Sequence, residues 1–200
     1  MKRIGAVLFD GFEMLDYFGP LEMFAAYPDT FEIVAVAENA APVRPSGGPQ
    51  VVPDRVFADG ADYDILLVPG GMGTRREIEN TVMLDWLRQA SAQADLVTSV
   101  CTGSVLLAKA GILDGRKATT NKRAYDWVSG QSDQVDWQRS ARWVEDGKFF
   151  TSSGLSAGID MGLAVVARVL GDEAATNAAF WTEYIAIRDP DNDPFAAGDS

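Results

Sequence analysis

Asp95-Leu96-Val97-Thr98-Ser99-Val100-Cys101-Thr102-Gly103 is the stretch on which the reading of the whole chain turns. Leu96 to Val100 is short, β-branched and mostly apolar, the composition of a strand buried in a parallel sheet. It stops abruptly at the only cysteine, Cys101. Thr102-Gly103-Ser104 follows, and Val105 to Ala110 then reads as a buried helix closed by Gly111. Cys101 therefore falls on the bend between a strand end and a helix start, where a side chain is pushed into the crevice beyond the carboxyl ends of the strands. Unpaired helix amides and the positive end of the helix dipole at such a bend favour thiolate over thiol. The competing reading is an inert packed thiol, since free cysteines are among the most buried residues.

Upstream, Arg3 to Phe9 reads as a first buried strand and Asp10-Gly11-Phe12 as the turn that leaves it. Met14, Leu15, Phe18, Leu21, Met23 and Phe24 then recur at helical spacing, with Pro20 placed in a first turn. Asp16 lies where that helix should begin, either as its cap or as a carboxyl facing the same crevice as Cys101. Glu22 is a second acidic candidate, against a solvated helix face as its plain role. Phe31 to Ala37 is a second strand, followed by a Pro- and Gly-rich loop, and Asp64 to Val68 a third. The third ends in Pro69-Gly70-Gly71-Met72-Gly73, whose bare amides suit an oxyanion pocket or simply a tight turn. No Gly-x-Gly-x-x-Gly or Gly-Lys-Ser/Thr is present, so nucleotide binding has no motif.

Downstream, Glu77 to Gln93 reads as one or two helices, Lys117 to Thr120 as a short extended piece and Asn121 to Val128 as helical. Asp146-Gly147 between two β-prone runs signals a hairpin over Arg142 to Thr151. Ser152 to Asp160 opens on the crevice at another strand-to-helix junction and leads into a helix over Met161 to Leu170. A last helix is expected over Ala174 to Tyr184, and then an extended tail on the surface.

The chain of 200 residues suits one domain, with a core over about 4–184 and a tail over 188–200. A single cysteine excludes an intrachain disulfide or a cysteine-rich metal site and makes a reducing cytoplasm the natural compartment. The opening Met-Lys-Arg-Ile-Gly-Ala-Val-Leu-Phe is cut short by Asp10 before it can act as a signal segment, and no window reaches the length of a membrane span. A net charge of −12 argues against nucleic acid or anionic membrane as partner. There is no histidine, which removes the Cys-His dyad, the Ser-His-Asp triad and histidine-bound metals. Proton transfer is left to carboxylates, the thiol, water or a lysine.

Pro69-Gly70-Gly71, Ser99-Val100-Cys101-Thr102-Gly103-Ser104, Arg116-Lys117-Ala118-Thr119-Thr120 and Ser153-Gly154-Leu155-Ser156-Ala157-Gly158-Ile159-Asp160 together resemble the ThiJ/PfpI superfamily, from Ile4 to about Tyr184. The resemblance implies an α/β, flavodoxin-like three-layer sandwich: a mostly parallel sheet, helices on both faces, and a cysteine on a nucleophile elbow. It also implies a homodimer. Leu15-Asp16-Tyr17-Phe18-Gly19-Pro20 and Cys-Thr-Gly-Ser are most similar to the isocyanide (isonitrile) hydratases of that superfamily. Carried over, the resemblance makes Cys101 the nucleophile, Asp16 its acid/base partner and Thr102 the residue that orients the carboxyl. The amides of Gly71 and Thr102 would line the pocket, with Gly70, Asn121, Leu155 and Ser156 around it. The pattern departs at Thr119-Thr120-Asn121-Lys122, where hydratase-like relatives read Thr-Thr-His-Trp. The implied reaction is hydration of a small isocyanide to an N-substituted formamide, without metal or other cofactor. The alternatives are conversion of a small α-oxoaldehyde through a hemithioacetal, a redox-responsive cysteine protein, and a ligand-sensing domain.

Overall fold

The computed structural model describes residues 1–196. Along the chain come β1 (Lys2–Leu8), α1 (Met14–Ala25), β2 (Phe31–Ala37), β3 (Arg55–Val56), β4 (Ile65–Val68), α2 (Thr74–Glu77), α3 (Thr81–Gln93) and β5 (Leu96–Val100). They are followed by α4 (Gly103–Lys109), β6 (Lys117–Ala118), α5 (Tyr125–Ser129), β7 (Asp136–Trp137), β8 (Trp143–Asp146), β9 (Phe149–Ser152), α6 (Ala157–Leu170) and α7 (Asp172–Trp181). The main sheet has the order β3-β2-β1-β4-β5-β9-β8. It is parallel except at β8, which returns antiparallel to β9 across the Gly147-Lys148 turn. A flavodoxin-like α/β sandwich is thus present, with α1, α6 and α7 packed together and α2 to α5 forming a second group.

Strand burial follows composition. Every residue of β4, β5 and β9 is buried, as two-sided cover of a parallel sheet demands. Of the two polar members of β5, Thr98 donates its hydroxyl to the Leu66 carbonyl across the strand pair at 2.9 Å, whereas Ser99 Oγ is buried without a partner. Because β1, β4, β5 and β9 run the same way, their carboxyl ends lie side by side. The loops leaving them supply one crevice.

Several boundaries differ from expectation for local physical reasons. Pro20 lies well inside α1, not in its first turn, so the Asp16 carbonyl has no amide four residues on to accept from. The helix tolerates this because α1 is clamped against α6. Helix α6 starts at Ala157, four residues before Met161, and Asp160 in its first turn complements the helix dipole. Helix α7 ends before Tyr184, since Glu183 takes a left-handed φ of 53° and turns the Tyr184 hydroxyl onto Asp160 Oδ1 at 3.1 Å.

The expected surface tail is in part buried, and its residues 197–200 lie outside the described ones. Pro190 accepts a hydrogen bond from the Arg142 amide at 2.7 Å, and Asp193 donates through its amide to the Ser140 carbonyl at 2.7 Å. The Arg142 guanidinium, 2% exposed, then reaches Asp160 Oδ2 through Nε at 2.7 Å and Nη2 at 2.6 Å, and Asp193 Oδ1 through Nη1 at 3.4 Å. Two buried carboxylates share one buried cation, an arrangement stable only while that cation stays in place. Among the described residues no helix is long and apolar enough to cross a membrane.

Replacing Arg142 by leucine leaves Asp160 and Asp193 without their counter-charge and is expected to cost about 3–5 kcal/mol. Chemical denaturation at neutral pH reads this directly. Asp193→Asn, which keeps the shape and leaves the Arg142–Asp160 pair, is expected to cost less.

Candidate active site

Cys101 follows β5 directly, and its backbone has a left-handed φ of 57°, a conformation that L-residues adopt only at a cost. Four hydrogen bonds hold it there. Its amide donates to the carbonyls of Ser152 and Ser153 at 3.1 and 3.2 Å, while its carbonyl accepts from Thr120 Oγ1 at 2.8 Å and Ser104 Oγ at 3.2 Å. The strand-turn-helix bend is therefore a true elbow. Thr120, from the Arg116-to-Thr120 stretch, is one of its pins.

Asp16 sits in the first turn of α1 but does not cap it. The cap position is Glu13, whose side chain makes no capping bond, and Asp16 is instead turned inward at 0% exposure. Its Oδ2 accepts from the Gly70 amide at 3.0 Å, whereas its Oδ1 is buried with no hydrogen-bond partner. Removal from water pushes this carboxyl up from 3.8 to about 7, and the negative charge of Glu13 adds to the effect. The Cys101 thiol and the amides of Gly70 and Leu155 pull it back only in part. Gly70 is the residue that permits this packing: a β-carbon there would stand 2.6 Å from the Thr102 nitrogen, 2.7 Å from Thr102 Oγ1 and 2.8 Å from Asp16 Oδ2.

Burial works against the ready thiolate that the helix dipole favours. Burial of the thiol, 6% exposed, together with the charge of Asp16, holds Cys101 well above the usual thiol range. The Thr102 amide and hydroxyl act the other way but are outweighed. The oxyanion reading of the glycine loop also needs correction, because its amides are already in use. Gly70 N–H is spent on Asp16, and Gly71 N–H donates to Thr102 Oγ1 at 3.0 Å. Thr102 does not orient the Asp16 carboxyl either. Its hydroxyl lies between Gly71 and Thr74 Oγ1, the latter at 3.2 Å, and bears on the Cys101 sulfur.

A cavity of about 250 Å³ opens on this pair, lined by Cys101, Thr102, Gly71, Asn121 and Leu155 together with Glu13, Met72, Arg75, Arg123 and Ala124. Leu155 is another non-glycine residue in the left-handed region, with φ 38°. Asn121, expected at the pocket, is there, its Oδ1 accepting from the Ala124 amide at 3.0 Å. Ser156 stands farther along, in an adjoining cavity of about 510 Å³ that also holds Asn121, Lys122, Leu155 and the tail residues Pro194 and Phe195. Glu22 is exposed on α1 and takes no part. Sequence reasoning missed Glu13, Arg75 and Arg123, since no motif singles out an arginine two residues beyond a glycine turn. Among the described residues no three metal-ligating side chains cluster.

The sequence profile of the DJ-1/PfpI family matches residues 2–168. Isonitrile hydratase of Pseudomonas putida is 37% identical over 184 residues, covering 91% of this chain and 78% of that protein. An HTH-type transcriptional regulator of Pseudomonas aeruginosa is 27% identical over 86% of this chain, which spans only 52% of the regulator's length. Among solved structures, a ThiJ/PfpI family protein from Pseudomonas syringae superposes with a TM-score of 0.86 at 32% identity, over 98% of this chain and 78% of that one.

A raised carboxyl works against the fold once it ionises. Since the Asp16 value rises from 3.8 to about 7 on folding, the penalty is absent below pH 4, grows between pH 4 and 7 and is constant above. Asp16→Asn carries no such charge, so its stability advantage over the wild type should grow across that interval to at most about 4 kcal/mol. Thermal melts of both proteins from pH 4 to pH 8 test the sign. A difference flat in pH would contradict it.

Proposed function

The chain belongs to the DJ-1/PfpI family, and within it we propose that this protein hydrates a small isocyanide, with Cys101 as nucleophile and Asp16 as acid and base. One observation carries the reading: a carboxyl sealed from water beside the thiol, raised to about 7, with Oδ1 buried and no hydrogen bond made to it. Similarity to an isonitrile hydratase over nine-tenths of the chain supports it.

An isocyanide's terminal carbon needs both a nucleophile and a proton on the same atom. Thiol and carboxylate share one removable proton here, and moving it from sulfur to Asp16 gives thiolate beside neutral acid at no change in net charge. Cys101 Sγ then bonds to the isocyanide carbon as Asp16 delivers the proton to that carbon, leaving a thioimidate and an ionised carboxyl. Water adds to the same carbon, one of its protons going to Asp16 and the other to nitrogen. The C–S bond breaks, releasing the N-substituted formamide and restoring thiolate and acid. Overall, one isocyanide and one water give one formamide.

This chemistry needs one carboxyl at one carbon. Conversion of an α-oxoaldehyde instead requires a proton to travel between adjacent carbons, and the second carboxyl considered for it, Glu22, faces solvent. A redox sensor requires a low thiol pKa, which burial opposes. The same reading includes a homodimer in the cytoplasm acting on a small molecule, in keeping with exposed Leu15 and Phe18 on α1 and with the lone cysteine.

Cys101→Ala should abolish conversion of a small alkyl isocyanide to its formamide, and Asp16→Asn should lower it by ~10²-fold or more. The wild-type kcat/KM should rise with pH through about 7 as the pair loses its first proton, a limb that Asp16→Asn removes. Full turnover by Cys101→Ala ends the proposal.

A further inference from the structure

The cavity over Cys101 carries more positive charge than the chain around it leads one to expect. The protein has 17 basic and 29 acidic side chains, yet two arginines, Arg75 and Arg123, and one carboxylate, Glu13, line this space above the Asp16–Cys101 pair. Arg75 has no carboxylate partner among the described residues. Its guanidinium lies over the Trp127 ring at 4.5 Å and touches Met72 Sδ through Nη1 at 3.3 Å. Stacking on a ring fixes the plane of a guanidinium while leaving N–H groups at its edge to grip a second group. Arg123 forms no hydrogen bond or ion pair among the described residues, whereas Arg3, Arg76, Arg88, Arg116, Arg139 and Arg142 each pair with a carboxylate, and Arg55 and Arg188 donate to the Asp59 carbonyl and Thr176 Oγ1. Two uncommitted guanidinium groups that share a walled cavity raise the local concentration of anions against the field of the whole molecule.

From this arrangement we infer that the substrate bears a carboxylate, seated on Arg75 and Arg123, while its reactive carbon reaches Cys101. The inference deepens the isocyanide reading and rests on it for the reaction, naming as substrate class a small isocyanide with an attached carboxylate. The guanidinium groups act in binding and positioning, and the bond-making steps stay with Cys101 and Asp16. Glu13, the one opposing charge on the cavity wall, sharpens the choice of where the carboxylate sits by repelling it toward the arginines.

The test compares isocyanoacetate with its neutral methyl ester. In the wild type kcat/KM should favour the carboxylate by about tenfold, roughly threefold from each exposed guanidinium. The preference should shrink by that factor in Arg75→Gln and in Arg123→Gln, vanish in the double variant, and weaken as salt is added. Arg168→Gln, an equal loss of charge on the exposed side of α6, should leave the ratio where it was. A carboxylate-to-ester ratio that the double variant does not change overturns the inference. A second measurement separates this outcome from failure of the hydratase reading. Cys101 is the only cysteine, so alkylation reports on this one cavity. The rate with iodoacetate divided by that with iodoacetamide should exceed the same ratio for N-acetylcysteine by about tenfold and drop to it in the double variant. If neither isocyanide turns over while alkylation keeps this preference, the hydratase reading falls and the anion site stands. Equal ratios in wild type and double variant overturn the anion site itself.

Discussion

Taking a carboxyl group out of water without placing a cation beside it is unfavourable, and this chain does so at Asp16. The surroundings are arranged to hold it there. Gly70 has no side chain, so one peptide can approach Asp16 and Thr102 together, and its amide supplies the single firm hydrogen bond the carboxyl receives. Thr102 Oγ1 occupies the next amide, of Gly71, and ties the loop to the elbow. The elbow in turn keeps Cys101 in a left-handed conformation through bonds to β9 and to Thr120. Segments that follow β1, β4, β5, β6 and β9 thus serve one contact between an oxygen and a sulfur.

In the proposed reaction, the contact changes what kind of reagent the cysteine is. A thiol beside an imidazole or at an open helix end is already ionised before substrate arrives. Here burial keeps sulfur protonated and raises the carboxyl to about 7, so thiol and acid titrate as a coupled pair, and the proposed reaction draws on the proton between them. Such a pair suits a reaction in which the same carbon must receive a nucleophile and a proton together. It suits oxidation sensing less well, because that role draws on standing thiolate.

How much of this was legible in the sequence depends on the range of the interaction involved. The five-residue run before Cys101 announced β5 and the elbow because strand burial is a local property, and the Asp-Gly turn between β8 and β9 was equally plain. Asp16 was recognisable as a candidate, but residue type alone also fitted a helix cap. What turns it inward is Gly70, brought from 54 positions away. The glycine amides misled for a related reason: a bare amide in a turn is easy to find, while its capture by a threonine hydroxyl 31 positions on depends on the finished fold. Arg75 and Arg123 carry no signal at all in one dimension. The reading proposed for them comes from Trp127, from the shared cavity and from the absence of a carboxylate partner among the described residues. The tail was misjudged because Asp193, in a run of Asp, Asn and Pro, has every mark of a surface residue.

That last aspartate has a consequence for how the molecule is made. A ribosome delivers the chain from its amino end, and the strands β1, β2, β4 and β5 can pair before the remainder has emerged. Arg142 joins the interior later, with Asp160 available soon after it, but its other counter-ion lies 51 residues on. Until that segment leaves the exit tunnel, one face of a buried guanidinium has only water for company. Full neutralisation of the Arg142 guanidinium therefore waits on synthesis of Asp193, and a polypeptide halted just short of that residue has its charge balance unfinished.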